Sequence, residues 1–256
     1  MNLLVLKLIL APVIIGSASL AGRRWGPAVS GWIVGMPLTS GPVIFFVALS
    51  HGASFAANAS LGVISGGLSL VAYALTYSWL ATRFRWPISI AGSLFIFSLS
   101  TRFLQNTTVS LLPIFVMVGL AILVGLWFMP NDAVVKNDDA QLSQWDIPVR
   151  IFIGTSFILL LTGIAPLIGS RMTGLLTTIP LYVTILSIFA HRDHGAAAAA
   201  HVMRGLLYGM FAFIGFFLIL SLLIEKTSLG ISFGAALLTA LSVQGTSLFV
   251  LRKLHK

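Results

Sequence analysis

The chain has 256 residues, 58% of them hydrophobic and only 8% charged, with a mean hydropathy of +1.03. A soluble domain carries about 25% charged residues, so a soluble globular fold is excluded. The net charge of +9 reflects 15 Lys and Arg against 6 Asp and Glu, and there is no cysteine, which removes disulfides, thiolate metal sites and cysteine nucleophiles.

The apolar runs are of helix-spanning length, unlike the short alternating strands of a transmembrane barrel. They predict a polytopic all-α membrane protein of nine spans: 3–21, 27–50, 55–81, 87–104, 109–129, 148–167, 172–190, 197–223 and 230–250. The first span ends in small residues, as a signal peptide does. Lys7 lies inside its apolar run and no basic region precedes it, so it reads as a retained span. The polar stretch 130–147 holds Asp132, Asp138, Asp139 and Asp146, four of the six acidic residues, and reads as a solvated loop.

Sorted by side, the basic residues divide ten against four. One face receives Arg23, Arg24, Arg83, Arg85, Lys136, Arg150, Arg192, Arg252, Lys253 and Lys256, and the other Lys7, Arg102, Arg171 and Lys226. Arg204 falls inside a span. This bias predicts a bacterial inner-membrane protein with its C-terminus in the cytoplasm and its N-terminus outside. No basic face is interleaved with aromatics, so nucleic acid is not an expected partner.

Shifting the chain by 143 residues brings Gly26 onto Gly169, Gly31 onto Gly174 and Pro37-Leu38 onto Pro180-Leu181. It also brings His51-Gly52-Ala53 onto His194-Gly195-Ala196, Gly62 onto Gly205 and Gly66 onto Gly209. In all, 12 of the 41 positions from 26 to 66 are identical, where composition alone gives about three. Lys7 falls on Arg150. Four spans repeat and the fifth has no counterpart, so the second unit enters the membrane upside down. The expected architecture is two inverted four-helix repeats, 1–108 and 147–256, joined by a connecting helix and polar loop over 109–146.

Gly35, Pro37, Gly41 and Pro42 lie in the middle of the second span, and Pro180 occupies the matching place in the seventh. Proline removes a backbone donor and clashes with the preceding turn, so these segments read as broken helices and hinges. Interrupted helices at corresponding positions of two repeats point to a transporter's binding site. The hydroxyls beside them, Thr39, Ser40, Thr177, Thr178 and Tyr182, are candidate substrate contacts. The alternative is two proline-kinked helices with small residues for close packing. Asn58, His201 and Arg204 are further candidates, because intramembrane polar groups face a cavity or a partner. Arg204 also reads as a residue snorkelling to the interface. His51 and His194 end the second and seventh spans and read as gating or proton-coupling groups, or as polar residues at tight turns. The run from His191 through Asp193 and His194 to His201 invites a metal reading, but Gly195 breaks the helical spacing, and no metal or cofactor is expected. No G-x-x-x-x-G-K-[ST], G-x-S-x-G or H-E-x-x-H motif is present, and no enzymatic activity is expected.

The segment Arg23-Arg24-Trp25-Gly26-Pro27 with Gly35-Met36-Pro37-Leu38-Thr39-Ser40-Gly41-Pro42 resembles a group of bacterial polytopic inner-membrane proteins. So does Arg204-Gly205-Leu206-Leu207 with the aromatics Phe211, Phe213, Phe216 and Phe217. This resemblance spans most of the chain and implies no particular activity. A repeat of this length is also similar to the drug/metabolite transporters, which usually have five spans per unit.

These readings converge on a secondary transporter or exporter of a small organic solute, an anion included, working by alternating access around spans two and seven. A lipid flippase or intramembrane lipid-handling protein is the alternative, which a lateral groove open to lipid would favour over a sealed central cavity. A non-transporting membrane subunit is the third reading. Expected partners are the solute and the bilayer, with a homodimer left open.

Overall fold

The computed structural model describes residues 3–25, 36–107, 109–130 and 146–254. All regular structure among them is helical. In order these helices are α1 (Leu3–Trp25), α2 (Ser40–His51), α3 (Ala53–Ala81), α4 (Trp86–Leu104) and α5 (Leu111–Phe128). There follow α6 (Asp146–Ile168), α7 (Ser170–Thr177), α8 (Leu181–Leu223) and α9 (Leu229–Leu254). Six stretches among the described residues are long and apolar enough to cross a membrane: Ala53–Ala81, Trp86–Leu104, Leu111–Phe128, Ile147–Ile168, Ser170–Leu223 and Leu229–Thr246. The chain is a multi-pass helical membrane protein.

Local chemistry accounts for the helix ends. Pro87 sits at the start of α4, where a missing backbone N–H is harmless. Three glycines take positive φ at junctions: Gly52 (87°) between α2 and α3, Gly169 (79°) between α6 and α7, and Gly195 (83°) within α8. Side chains rarely adopt that conformation. Gly195 divides α8 into 181–194 and 196–223, so α8 is two helices meeting at a bend.

Two differences from the expected spans follow. In the second span, residues 36–39 are not helical and α2 starts only at Ser40. The seventh expected span is split at Thr178–Pro180, and its later part runs on to Gly195.

Helix α3 lies at the centre, packed by α8, α7, α4, α5 and α2. Tyr73, Tyr77, Phe216 and Phe217 belong to the large core that α3 and both halves of α8 share. A smaller core of Ala11, Ile15, Val43, Phe46, Ile158 and Leu161 joins α1, α2 and α6. Helices α4, α5 and α9 instead expose large apolar side chains, such as Phe95 (67%), Trp127 (81%) and Leu238 (67%). In lipid this exposure carries no hydrophobic penalty. Association depends instead on close packing of small residues, which explains why α3 is rich in Gly, Ala and Ser.

The helix directions can be read from paired contacts. Lys7 bonds to Thr162, Ile15 packs on Gly154, and Ile151 packs on Gly16. Rising numbers on α1 meet falling numbers on α6, so the two run antiparallel. Gly67 packs on Met210 and Ala57 bonds to Ser221, so α3 and the second half of α8 are antiparallel as well.

Candidate functional site

The two interruptions meet. At the first, Pro37 is buried and its carbonyl accepts from Gly41 N at 2.9 Å, turning the chain into α2. At the second, Pro180 caps α8 with φ −79° and ψ 49°. Leu181 N turns back to Ile179 O at 2.8 Å. A regular helix would have sent that N–H to Thr177 O. The freed carbonyl is taken up across the helix crossing, where Ser40 Oγ donates to Thr177 O at 2.9 Å. With no bulk water to satisfy a carbonyl at membrane depth, a protein donor must do so.

The neighbouring hydroxyls sort into two kinds. Thr177 Oγ1 donates to Gly174 O at 2.7 Å and Thr178 Oγ1 to Leu175 O at 2.6 Å. Both are buried and tied to their own helix. Thr39 caps α2 without a side-chain bond to its backbone. It lines a pinched cavity with Arg150, Gly154, Leu181 and Tyr182. The volume is about 10 Å³, at the threshold for one water molecule. The crossing is closed in this conformation.

Tyr182 faces this cavity from the first turn of α8. Its hydroxyl shares a 3.0 Å hydrogen bond with Ser19 Oγ of α1. The Arg150 guanidinium lies 4.5 Å from the ring centroid and is 3% exposed. The charge count assigns Arg150 to one membrane face; the fold buries it beside the crossing. Arg150 therefore lines the cavity beside the crossing, which motif reading missed. Its signal was the match with Lys7 in the repeat.

The other candidates lie elsewhere. Asn58 is exposed and donates to Ser54 O at 3.1 Å. His51 is exposed and stacks against Phe55, and His194 and His201 are exposed too. Arg204 reaches the end of α5, where Nη2 donates to Pro130 O at 2.9 Å. His191 turns inward instead, with Nδ1 3.3 Å from Tyr77 Oη. Of the expected hinges, Pro37 and Pro180 sit at the interruptions, Gly41 and Pro42 lie in the first turn of α2, and Gly35 lies outside the described residues. The positive-φ glycines Gly52 and Gly195 form the turn and the helix break expected there, and Gly169 adds a third that was not expected.

A second feature lies on the flank. Leu68, Leu99, Phe103, Ile114 and Met117 line an apolar groove of about 490 Å³ between α3, α4 and α5. Leu99, Phe103 and Met117 are exposed on its rim. At one end Arg171 Nη2 holds Leu104 O at 3.3 Å and Thr107 Oγ1 at 3.4 Å.

No family model matches the chain, and neither a curated protein nor a solved structure matches it, so the functional reading rests on geometry.

Proposed function

We propose that this protein is a secondary transporter or exporter of a small organic solute, built as two inverted repeats joined by α5. The observation that carries this reading is the bond between Ser40 and Thr177. Two helices interrupted at matching places in the repeat meet at their breaks, beside a buried arginine and the first turns of α2 and α8. Discontinuous helices of this kind form solute sites in many secondary transporters. The inverted arrangement is supported by helix starts 143 residues apart, at Ala53 and 196 and at Trp86 and Leu229. It is also supported by the antiparallel contacts of the corresponding helices. The closed crossing corresponds to an occluded state, and access to either side requires the two repeats to rock apart.

The absence of cysteine makes the test direct. Single cysteines at Thr39, Asn58, Thr177 and His201 are exposed to a membrane-impermeant thiol reagent from each side in proteoliposomes. Labelling at Thr39 and Thr177, with a side of access that changes with conditions, supports transport. Protection of both in a folded protein means that the interruptions are packing devices, as a non-transporting subunit would have.

One observation favours a second reading. The lateral groove beside α4 and α5 suits a lipid-handling protein. Filling it with Leu99→Trp tests this: a fall in the flipping rate of a fluorescent phospholipid would favour lipid handling, and unchanged rates would remove it.

A further inference from the structure

We propose that the groove between α3, α4 and α5 holds a resident anionic phospholipid, with an acyl chain in the groove and the headgroup phosphate at Arg171. The site lies apart from the crossing, and it stands whether or not the protein moves a solute or a lipid.

The groove forms where two helices leave the turn that joins them. Helix α4 ends at Leu104 and α5 begins at Leu111. Phe103, Leu104, Thr107 and Val109 line the groove at this turn, and Leu99 and Met117 line it deeper in the two spans. Its volume of about 490 Å³ falls within the range of ligand pockets, about 300–1,000 Å³. Leu99, Phe103 and Met117 are exposed on the rim, so the groove opens sideways. Other apolar side chains of α4 and α5, such as Phe95 and Leu120, are exposed as well. At membrane depth such an opening meets lipid chains.

Arg171 supplies the charge. It is the second residue of α7 and half-buried. Its Nη2 reaches the end of the groove, at Leu104 O (3.3 Å) and Thr107 Oγ1 (3.4 Å). Both acceptors are neutral. Both contacts are long beside the roughly 2.7–2.9 Å of a guanidinium on a carboxylate or phosphate oxygen. Its Nε is buried without a hydrogen-bond partner.

No acidic side chain balances this cation. Arg171 makes no ion pair among the described residues. The sequence has no Asp or Glu before Asp132, so α3, α4, α5 and the turn joining α4 to α5 carry none. Asp146 opens α6 and Arg171 follows the close of that helix, about 33 Å of helix rise away. Glu225 is exposed in the turn after α8 and does not pair with Arg171. Arg102, exposed in the last turn of α4, adds a second cation at this end, and Asn106 and Ser110 are exposed polar groups beside it. A basic pocket between spanning helices recognises an anionic headgroup. The phosphate gives Arg171 the strong acceptor it lacks, and the chain covers the apolar rim.

A second copy of this protein fits the face less well. Copies related by a two-fold axis along the membrane normal keep the same end of the bundle together. Pairing through this face would bring Arg102 and Arg171 toward their own equivalents, with no acidic residue on α3, α4 or α5 to separate them.

The test weighs lipids on the full chain. The protein, purified in mild detergent, is equilibrated with equal amounts of phosphatidylglycerol and phosphatidylcholine of identical chains, and native mass spectrometry counts the lipid retained. Phosphatidylglycerol is expected to be retained about fivefold more, the ratio that one cation near a headgroup provides. Arg171→Gln should remove the preference and Arg171→Lys keep it, and Leu99→Trp, on the exposed rim, should lower retention of both lipids. If Arg171→Gln fails to fold, melting of the unaltered protein decides: phosphatidylglycerol should raise the melting temperature more than phosphatidylcholine, and Leu99→Trp should cancel the difference. Equal retention of the two lipids overturns the proposal. So does retention that Leu99→Trp leaves undiminished. A lipid-free dimer of the unaltered protein that Leu99→Trp converts to monomers would give the groove to a second copy and overturn it too.

Discussion

Gly62 of α3 and Gly174 of α7 touch backbone to backbone. A β-carbon on Gly62 would lie 3.2 Å from Gly174 Cα and 3.2 Å from Leu175 N, and would overlap the carbonyl oxygen of Arg171. One on Gly174 would overlap the carbonyl oxygen of Ala59. This contact presses the short helix that precedes the second interruption onto the central helix. Gly66 continues it, meeting Thr178 side-chain atoms.

Substituting either glycine by alanine forces the helices apart, since backbone cannot yield as a side chain does. Overpacking of a tight interior costs about 1–3 kcal/mol or more. The expected outcome for Gly174→Ala is a markedly lower melting temperature in detergent. Gly119→Ala is the control, because nothing lies within 4 Å of its added carbon. Equal melting of the two variants would mean that the contact is loose.

Ser40→Ala removes the donor to Thr177 O. Both residues are buried, so the carbonyl is left without that donor at a cost of about 1–3 kcal/mol. Thermal unfolding of the purified variant measures this. Ser40→Thr, which keeps a hydroxyl, should recover part of the loss.

Gly52 and Gly195 share a backbone conformation, with φ of 87° and 83° and ψ of 171° and −175°. Nothing lies within 4 Å of a β-carbon at either position, so alanine there is opposed by backbone strain alone, about 1–3 kcal/mol. Similar losses are expected for Gly52→Ala and Gly195→Ala. A loss at one and none at the other would mean that the two junctions are not equivalent.

Tyr73 ties α3 to the first half of α8 through a 2.8 Å bond to Thr184 Oγ1. Tyr73→Phe keeps the ring and is expected to cost about 1 kcal/mol, whereas Tyr73→Ala empties a fully buried site and costs about 3–5 kcal/mol. The difference in melting temperature between the two variants separates packing from hydrogen bonding.

Legibility differed by residue. Pro37 and Pro180 announced the interruptions, because proline's missing donor acts on its own turn whatever surrounds it. The apolar runs announced α3 to α6 to within a few residues, because helix and span length follow from local hydropathy. Arg204 drew attention as an intramembrane charge, yet it reaches the end of α5 at Pro130. Arg150 was counted as a charge of one membrane face, yet it is buried over Tyr182. Nothing near either arginine in the chain distinguishes those fates.

By itself the sequence determined the class and the helix interruptions at Pro37 and Pro180, which depend on residues close together in the chain. Only the tertiary structure decided that Ser40 meets Thr177 and that Lys7 meets Thr162. Those partners lie 137 and 155 residues apart. Their meeting depends on how small residues on α3 let α7 approach and on how α1 and α6 run past each other. Close packing of distant surfaces sets that outcome, and no local pattern encodes it.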